Sequence, residues 1–110
     1  MSNEPSIQDF APHLHASFRV VLPEGYELKL ACVTDSSNQR MEQFSLVFTC
    51  PALPWLQQGT YTLIHAEHPQ RPEITLFLVP IGPNEDGMRY EAVFSRLSNS
   101  VHARDLVEQR

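Results

Sequence analysis

Four of the five histidines stand in two close pairs, and such pairs are a first place to look for a metal site. His13 and His15 are two residues apart, and His65 and His68 flank Glu67. Neither pair has a third ligand nearby in the sequence, whereas zinc needs three or four ligands that converge on one point. Pro69 follows His68 directly, which indicates a turn and not the helical His-Glu-x-x-His arrangement. We therefore predict solvated loop histidines, with no metal and no cofactor at either place.

A cysteine and a histidine could also form a nucleophile with its base, and here the combination would be Cys50 with His65. A catalytic thiolate needs an adjacent base and an electropositive, partly exposed setting. Both Cys32 and Cys50 fall on strand faces that are predicted to point inward, which favours reduced, structural thiols. If a hairpin is centred near Asn38, Cys32 lies opposite a residue near Phe44, which disfavours a disulfide with Cys50.

The loop carboxylates do not indicate an acid–base pair. Asp35, Glu85 and Asp86 lie in polar loops, whereas acid–base work needs carboxylates whose environments differ through burial or repulsion. The glycines all lie at predicted turns, so there is no glycine-rich phosphate loop, and no Gly-x-Ser-x-Gly elbow occurs. An enzyme would need at least two of the histidine, cysteine and carboxylate groups to converge. We predict that the protein is not an enzyme and has no catalytic or cofactor-binding residues.

The composition is that of one small globular domain with a mild negative charge. Of the 110 residues, 42% are hydrophobic and 19% charged, and the formal net charge is -5. Nucleic acids and anionic membranes attract clustered Lys and Arg, and the eight such residues are scattered. No apolar run approaches the roughly 20 residues that span a bilayer. The first ten residues lack the basic start and apolar core of a secretory signal. We expect a cytoplasmic protein with no nucleic-acid or membrane partner.

Six short strands account for most of the chain, and nine prolines and four glycines separate them. The pattern over 26–34 alternates apolar and polar residues, as in a half-buried strand. The predicted strands are 17–22, 26–34, 42–50, 60–66, 73–81 and 88–97, after a short helix over 6–14. A proline-rich connector, 51–59, is expected to cover one end of the core. This predicts a mostly β fold, a small antiparallel six-stranded barrel or sandwich with a short N-terminal helix. We predict one β domain over 1–97 and a C-terminal tail over 98–110, either a short helix or disordered.

The fifth predicted strand has apolar residues on both of its faces. Leu76 and Leu78 share one face, and Phe77 and Val79 share the other. One face of a small antiparallel sheet is usually in contact with water, so something is expected to cover Phe77 and Val79. Two explanations are open. In the first, which is favoured, the chain's own N-terminal helix or the loop that carries Trp55 covers these residues. In the second, another subunit covers them.

The last third of the chain carries a distinctive block of residues. Residues 77–83 read FLVPIGP and lead into DGMRYEAVF over 86–94. With DFAP (9–12), FRV (18–20), FSLVF (44–48) and QGTY (58–61), this resembles an uncharacterised family of short bacterial proteins known only as a domain of unknown function, over about residues 8–95. The resemblance implies a small β-rich chain and an occurrence beside phage-tail-like or tail-fibre proteins. It brings no activity and no catalytic residues, and the tail looks like an extension beyond the family's usual end.

The same block also contains a pattern that predicts a binding surface. Arg89 and Glu91 share one strand face, as do Phe77 and Val79 on the preceding strand. We predict that these four residues and the loop 82–87 form an interaction surface. Most of the block is also explained by the residue types that a tight turn and the following strand require.

These patterns favour a non-enzymatic structural or protein-interaction module, accessory to a larger, phage-tail-like assembly. Its protein partner is unknown, and a second copy of the same chain, forming a homo-oligomer, is one candidate. The alternative is a small-molecule-binding β-barrel. In that case Tyr26, Tyr61 or Tyr90 would supply polar groups to a ligand held among apolar side chains.

Overall fold

The computed structural model describes residues 7–97, which form a closed six-stranded antiparallel barrel. The strands in chain order are β1 (Ser17–Val20), β2 (Glu27–Asp35), β3 (Met41–Cys50), β4 (Gly59–His65), β5 (Ile74–Asn84) and β6 (Gly87–Leu97). Their order around the barrel is β1-β2-β3-β6-β5-β4, and β4 pairs with β1 to close it. The predicted mostly β class and the six strands are confirmed. Of the two architectures that the sequence left open, the structure is the barrel.

Each half of the chain is a three-stranded meander, and the two meanders are joined by residues 51–58, which we call the connector. Because β1 and β3 run parallel, the loop after β1, the connector and the β5–β6 turn all lie at one end of the barrel. We call this the connector end. The opposite end holds the N-terminal turns, the β2–β3 hairpin and the β4–β5 loop, and we call it the histidine end.

Two single-turn 3-10 helices, Ile7–Asp9 and Ala11–His13, stand where the sequence predicts one short helix. Pro12 lies in the second of them, and proline disfavours a continuous α-helix because it lacks an N–H group and clashes with the preceding turn. Phe10 lies between the two turns and is fully buried. Its ring centroid is 6.0–6.4 Å from those of Phe18, Phe44 and Phe94. The N-terminal turns therefore close the histidine end of the barrel with one aromatic side chain.

A β-bulge in β2 corrects the prediction that both cysteines face inward. The register with β3 shifts between Leu30 and Cys32, and the extra residue reverses the side-chain alternation. Leu30 is buried, Cys32 is exposed, and Val33 packs against the core instead. Cys50 is buried, as the sequence predicts, and both thiols are free.

Three strands continue beyond the barrel at the histidine end. β3 and β6 pair along their whole length, whereas β5 pairs with β6 only up to Glu91 and β1 pairs with β2 only up to Lys29. The outer parts of β2, β3 and β6 therefore form a three-stranded sheet. One of its faces carries Phe44 and Phe94, which pack against Phe10.

Other predictions concern the ends of the chain and its relation to membranes. The C-terminal tail predicted over 98–110 lies outside the described residues, as do the first six residues. Within 7–97, none of the helices has the length and apolar character needed to cross a bilayer.

Candidate functional site

The four residues of the predicted interaction surface lie on one outward face, where β5 meets β6. Val79 and Glu91 are register partners across the two strands. Phe77 and Arg89 each precede one of them by two residues, so they point to the same side of the sheet. We call Phe77, Val79, Arg89 and Glu91 the seam surface.

Phe77 is the most accessible part of the seam surface. Its side chain is 52% exposed, while the two leucines that flank it in β5 are buried in the core. The favoured explanation, that the N-terminal turns or the Trp55 loop cover this face, is therefore wrong for Phe77. The N-terminal turns plug the barrel end instead, and Trp55 is itself exposed. Contiguous exposed apolar patches are typical of interaction sites, and the half-buried Val79 extends the apolar surface of Phe77 along the same strand face.

Arg89 is fixed by a turn and is not a freely moving cation. Its Nε–H donates a hydrogen bond to the carbonyl oxygen of Gly82 at 3.1 Å. Gly82 has a φ of +116° and lies where the β5–β6 register shifts after Pro80. This hydrogen bond from the guanidinium of Arg89 therefore stabilises the bulge, which agrees with the structural explanation of the block as a turn followed by a strand. The same bond also holds a positive charge beside the outward face.

The three tyrosine hydroxyls all bond to the backbone of the connector. The pairs are Tyr26 with Pro54, Tyr61 with Gln57 and Tyr90 with Leu56. Tyr26 and Tyr61 donate to carbonyl oxygens, the latter at 2.6 Å, and the Tyr90 hydroxyl accepts the Leu56 N–H at 2.8 Å. Burial raises the pKa of Tyr90, which keeps its phenol neutral.

This arrangement bears on the alternative of a small-molecule-binding barrel. That alternative needs tyrosine hydroxyls pointing to a ligand, but here they anchor the loop that covers the connector end. The inward side chains of the strands pack as one buried cluster, with Phe48, Leu30 and Tyr90 all at 0% exposure. The structure therefore uses both the hydroxyls and the interior positions for folding.

The structure brings together three histidines that the sequence places in two separate pairs. The ring centroid of His65 lies 4.9 Å from that of His13 and 4.9 Å from that of His68. The His65 ring also lies edge-to-face with the ring of Phe18, with 5.0 Å between the ring centroids, and His65 is only 5% exposed. The prediction of solvated loop histidines is therefore wrong for His65. The contact arises because Phe18 and His65 are register partners where β4 closes onto β1.

The hydrogen bonding of His65 argues for packing and not for metal binding. Its Nδ1 accepts the N–H of Glu67 at 3.3 Å, and its buried Nε2 has no hydrogen-bond partner in the described part of the chain. A neutral imidazole has one acceptor nitrogen, so Nε2 carries the proton and offers no lone pair to a metal. Among residues 7–97, no group of three or more His, Cys, Asp or Glu side chains is arranged to hold a metal ion.

The other chemical groups that the sequence singles out lie apart from one another. Cys50 pairs with Met88 near the connector end, whereas His65 lies at the histidine end, so they form no nucleophile–base pair. Asp35 accepts the N–H of Ser37 at 2.9 Å, and this bond lowers the pKa of the Asp35 carboxyl. Its role is therefore that of a turn residue.

The His65 environment predicts a loss of stability in mild acid. Burial lowers the pKa of His65 below its usual value near 6.5, and the charges of His13, His68 and Arg71 act in the same direction, while Glu67 opposes them. The unfolded chain therefore takes up the proton first, so the free energy of unfolding falls as pH drops below about 6.5 and through the lower pKa of the folded state. Protonation also removes the acceptor for the Glu67 N–H.

Urea denaturation between about pH 7.5 and 5 measures this dependence. The His65→Leu variant should show a flatter dependence on pH than the natural chain. His15→Asn, which replaces an exposed histidine at a positive φ of 75° with a residue that tolerates it, should keep the natural slope. Equal slopes for the natural chain and His65→Leu would show that His65 is not the sensitive group.

Comparison with known proteins identifies a family but no activity. The model of a family described as a domain of unknown function (DUF6916) matches residues 5–94, a range that includes β1 to β5 and most of β6. No curated protein and no solved structure gives a significant match. The matched range agrees with the resemblance seen over about residues 8–95.

Proposed function

Because this chain belongs to the DUF6916 family of domains of unknown function, membership brings no activity, and we propose from its geometry that it is a non-enzymatic protein-interaction module. The observation that carries the proposal is Phe77, an aromatic side chain that is 52% exposed on the outward face of a regular strand. The seam surface is the contact region. The proposal includes the accessory role in a phage-tail-like assembly that the family resemblance implies.

The physical setting of Phe77 favours a binding role. The ring stands on a strand whose opposite face is fixed in the core by Leu76 and Leu78, so the backbone that carries it is already ordered before a partner binds. Aromatic and arginine side chains are enriched at protein interfaces and often carry most of the binding energy. Arg89, held by Gly82, supplies a positioned cation at the other end of the seam surface, beyond Val79 and Glu91. The partner that fits is a protein with an apolar pocket for the ring and an acidic group near Arg89.

The non-enzymatic part of the proposal is supported by the placement of reactive groups. The thiol of Cys50 and the imidazole of His65 lie at opposite ends of the barrel, and the tyrosine hydroxyls are engaged with the connector. A cytoplasmic location remains part of the proposal.

Site-specific photocrosslinking in producing cells tests the proposal. A photoreactive phenylalanine analogue at position 77 should yield a discrete adduct with another protein. The same analogue at Leu22, which is 70% exposed at the connector end, provides the control and should not yield that adduct. The partner identified in this way should then bind Phe77→Ser about 30-fold or more weakly than the natural chain, as expected when an interface hot spot is lost.

Two results would contradict the proposal. The first is an adduct that forms equally well from positions 77 and 22. The second is unchanged affinity of Phe77→Ser for the captured protein, with a melting temperature close to that of the natural chain as evidence of folding.

A further inference from the structure

The outer half of β6 is an open edge of the sheet. β6 pairs with β3 from Met88 to Leu97, but its pairing with β5 ends at Glu91. Within residues 7–97, no strand pairs with 92–97 on the side away from β3. The backbone N–H and C=O groups on that side are arranged to continue the antiparallel ladder with another strand.

This edge lacks the devices that usually prevent strands from pairing. Natural edges are protected by lysines, prolines, bulges or inward-pointing charges, whereas residues 92–97 read AVFSRL. The single charge, Arg96, bonds through Nε to Glu42 of β3 at 2.8 Å, so it lies against its own sheet. The opposite edge, in β2, does have such devices, because it carries the bulge after Leu30 and the charge of Asp35.

We propose that the open edge of β6 pairs antiparallel with the same edge of a second copy of this chain, with the two Ser95 residues opposite each other. Each Val93 then lies opposite Leu97 of the second copy on the outward face. These side chains are 61% and 51% exposed in the single chain, and cross-strand apolar pairs of this kind stabilise a sheet. On the other face, Phe94 lies opposite Arg96, where a guanidinium and an aromatic ring attract each other.

The positions of the two exposed apolar side chains, Val93 and Leu97, select this register. The outward side chains of both copies lie on the same face of the joint sheet only if the two-fold axis passes between two copies of the same residue. The alternative registers therefore differ in which residue lies at the centre of the pair. Centring the pair on Phe94 places Leu97 opposite Glu91, and centring it on Val93 places Leu97 opposite Arg89. Both of those partners are already paired with β5. Centring the pair on Phe94 keeps positions 92 to 96 within the open edge but places Val93 opposite Ser95. Only the pairing centred on Ser95 places the two exposed apolar side chains, Val93 and Leu97, opposite each other with both inside the open edge.

The result is a closed, symmetric dimer with a continuous sheet β2-β3-β6-β6-β3-β2. Two-fold pairing of identical edges uses both β6 edges at once, and the β2 edges that remain carry the bulge after Leu30 and the charge of Asp35. The inference is independent of the proposed function, because the open edge 92–97 and the seam surface are different parts of β5 and β6. A heterologous partner at Phe77 and a second copy at Ser95 are therefore separable by mutation.

Light scattering on a sizing column, with the full chain over a range of concentrations, is the first test. The natural chain should have the mass of two chains, and Val93→Lys should weaken the dimer about tenfold or more, because it replaces an apolar pair with a charge at both symmetric contacts. Leu22→Lys and Phe77→Ser should leave the dimer unchanged. A monomeric natural chain overturns the inference, including the case in which the chain's own tail occupies the edge.

Oxidative crosslinking tests the register. In a Cys32→Ser background, Ser95→Cys should form an intermolecular disulfide when treated with oxidised glutathione, because two-fold pairing places the two thiols directly opposite each other. Thr34→Cys, exposed on the β2 edge, should not crosslink under the same conditions. A dimer that is crosslinked by Thr34→Cys and not by Ser95→Cys overturns the proposed edge, and loss of binding at Phe77 alone does not affect either result.

Discussion

Replacing Phe10 with alanine should lower the free energy of unfolding by about 3–5 kcal/mol, the usual range for removing a fully buried phenylalanine. The ring has no exposed surface and lies among Phe18, Phe44 and Phe94. Its removal leaves a cavity at the histidine end that the strands cannot fill, because their positions are fixed by the ladder. In a domain of this size, each kcal/mol lowers the melting temperature by about 4–8 °C.

The Phe10 prediction has a control within the same segment. Leu14 follows the second 3-10 helix and is exposed, so Leu14→Ala should change the free energy of unfolding by about 0.5 kcal/mol or less. Urea denaturation of the two variants compares them directly. If Phe10→Ala were no more destabilising than Leu14→Ala, the N-terminal turns would not be part of the folded core.

The strands could be predicted from the sequence because their patterns are local. Each of the six predicted strands lies within three residues of the observed one at both ends. The bulge in β2 was missed because the residue between Leu30 and Cys32 is an alanine, and no glycine marks the irregularity. The face of Cys32 was therefore assigned incorrectly, although the strand itself was assigned correctly.

The seam surface and the histidine cluster differ in how far the sequence could predict them. The two-sided pattern of β5 is local, so the unusual position of Phe77 was visible before the structure. The contact of His65 with His13 depends on closure between β4 and β1, which joins segments about fifty residues apart, and the spacing of histidines contains no sign of it. The tyrosine contacts were missed for the same reason, since their partners are backbone groups of the connector.

Replacing Gly87 with alanine should destabilise the protein by about 3 kcal/mol or more, because two effects add. The first is backbone strain, since Gly87 has a φ of +116°, and a residue with a side chain in such a region costs about 1–3 kcal/mol. The second is a steric clash. A Cβ at this position would lie 2.4 Å from the carbonyl oxygen of Cys50 and 2.6 Å from the Cα of Pro51, both of which are backbone atoms.

Gly25 allows the two effects to be separated. It also has a positive φ, +99°, but a Cβ there would meet nothing within 4 Å. Gly25→Ala therefore reports strain alone, and the additional loss in Gly87→Ala reports the close approach of the β5–β6 turn to the start of the connector. Equal losses in the two variants would contradict that close approach. A larger loss at Gly87 means that the Asp86-Gly87 pair does more than form a turn. Because the turn packs directly on the backbone at Cys50 and Pro51, it also fixes the connector end and the start of β6, which carries Arg89 and Glu91 of the seam surface.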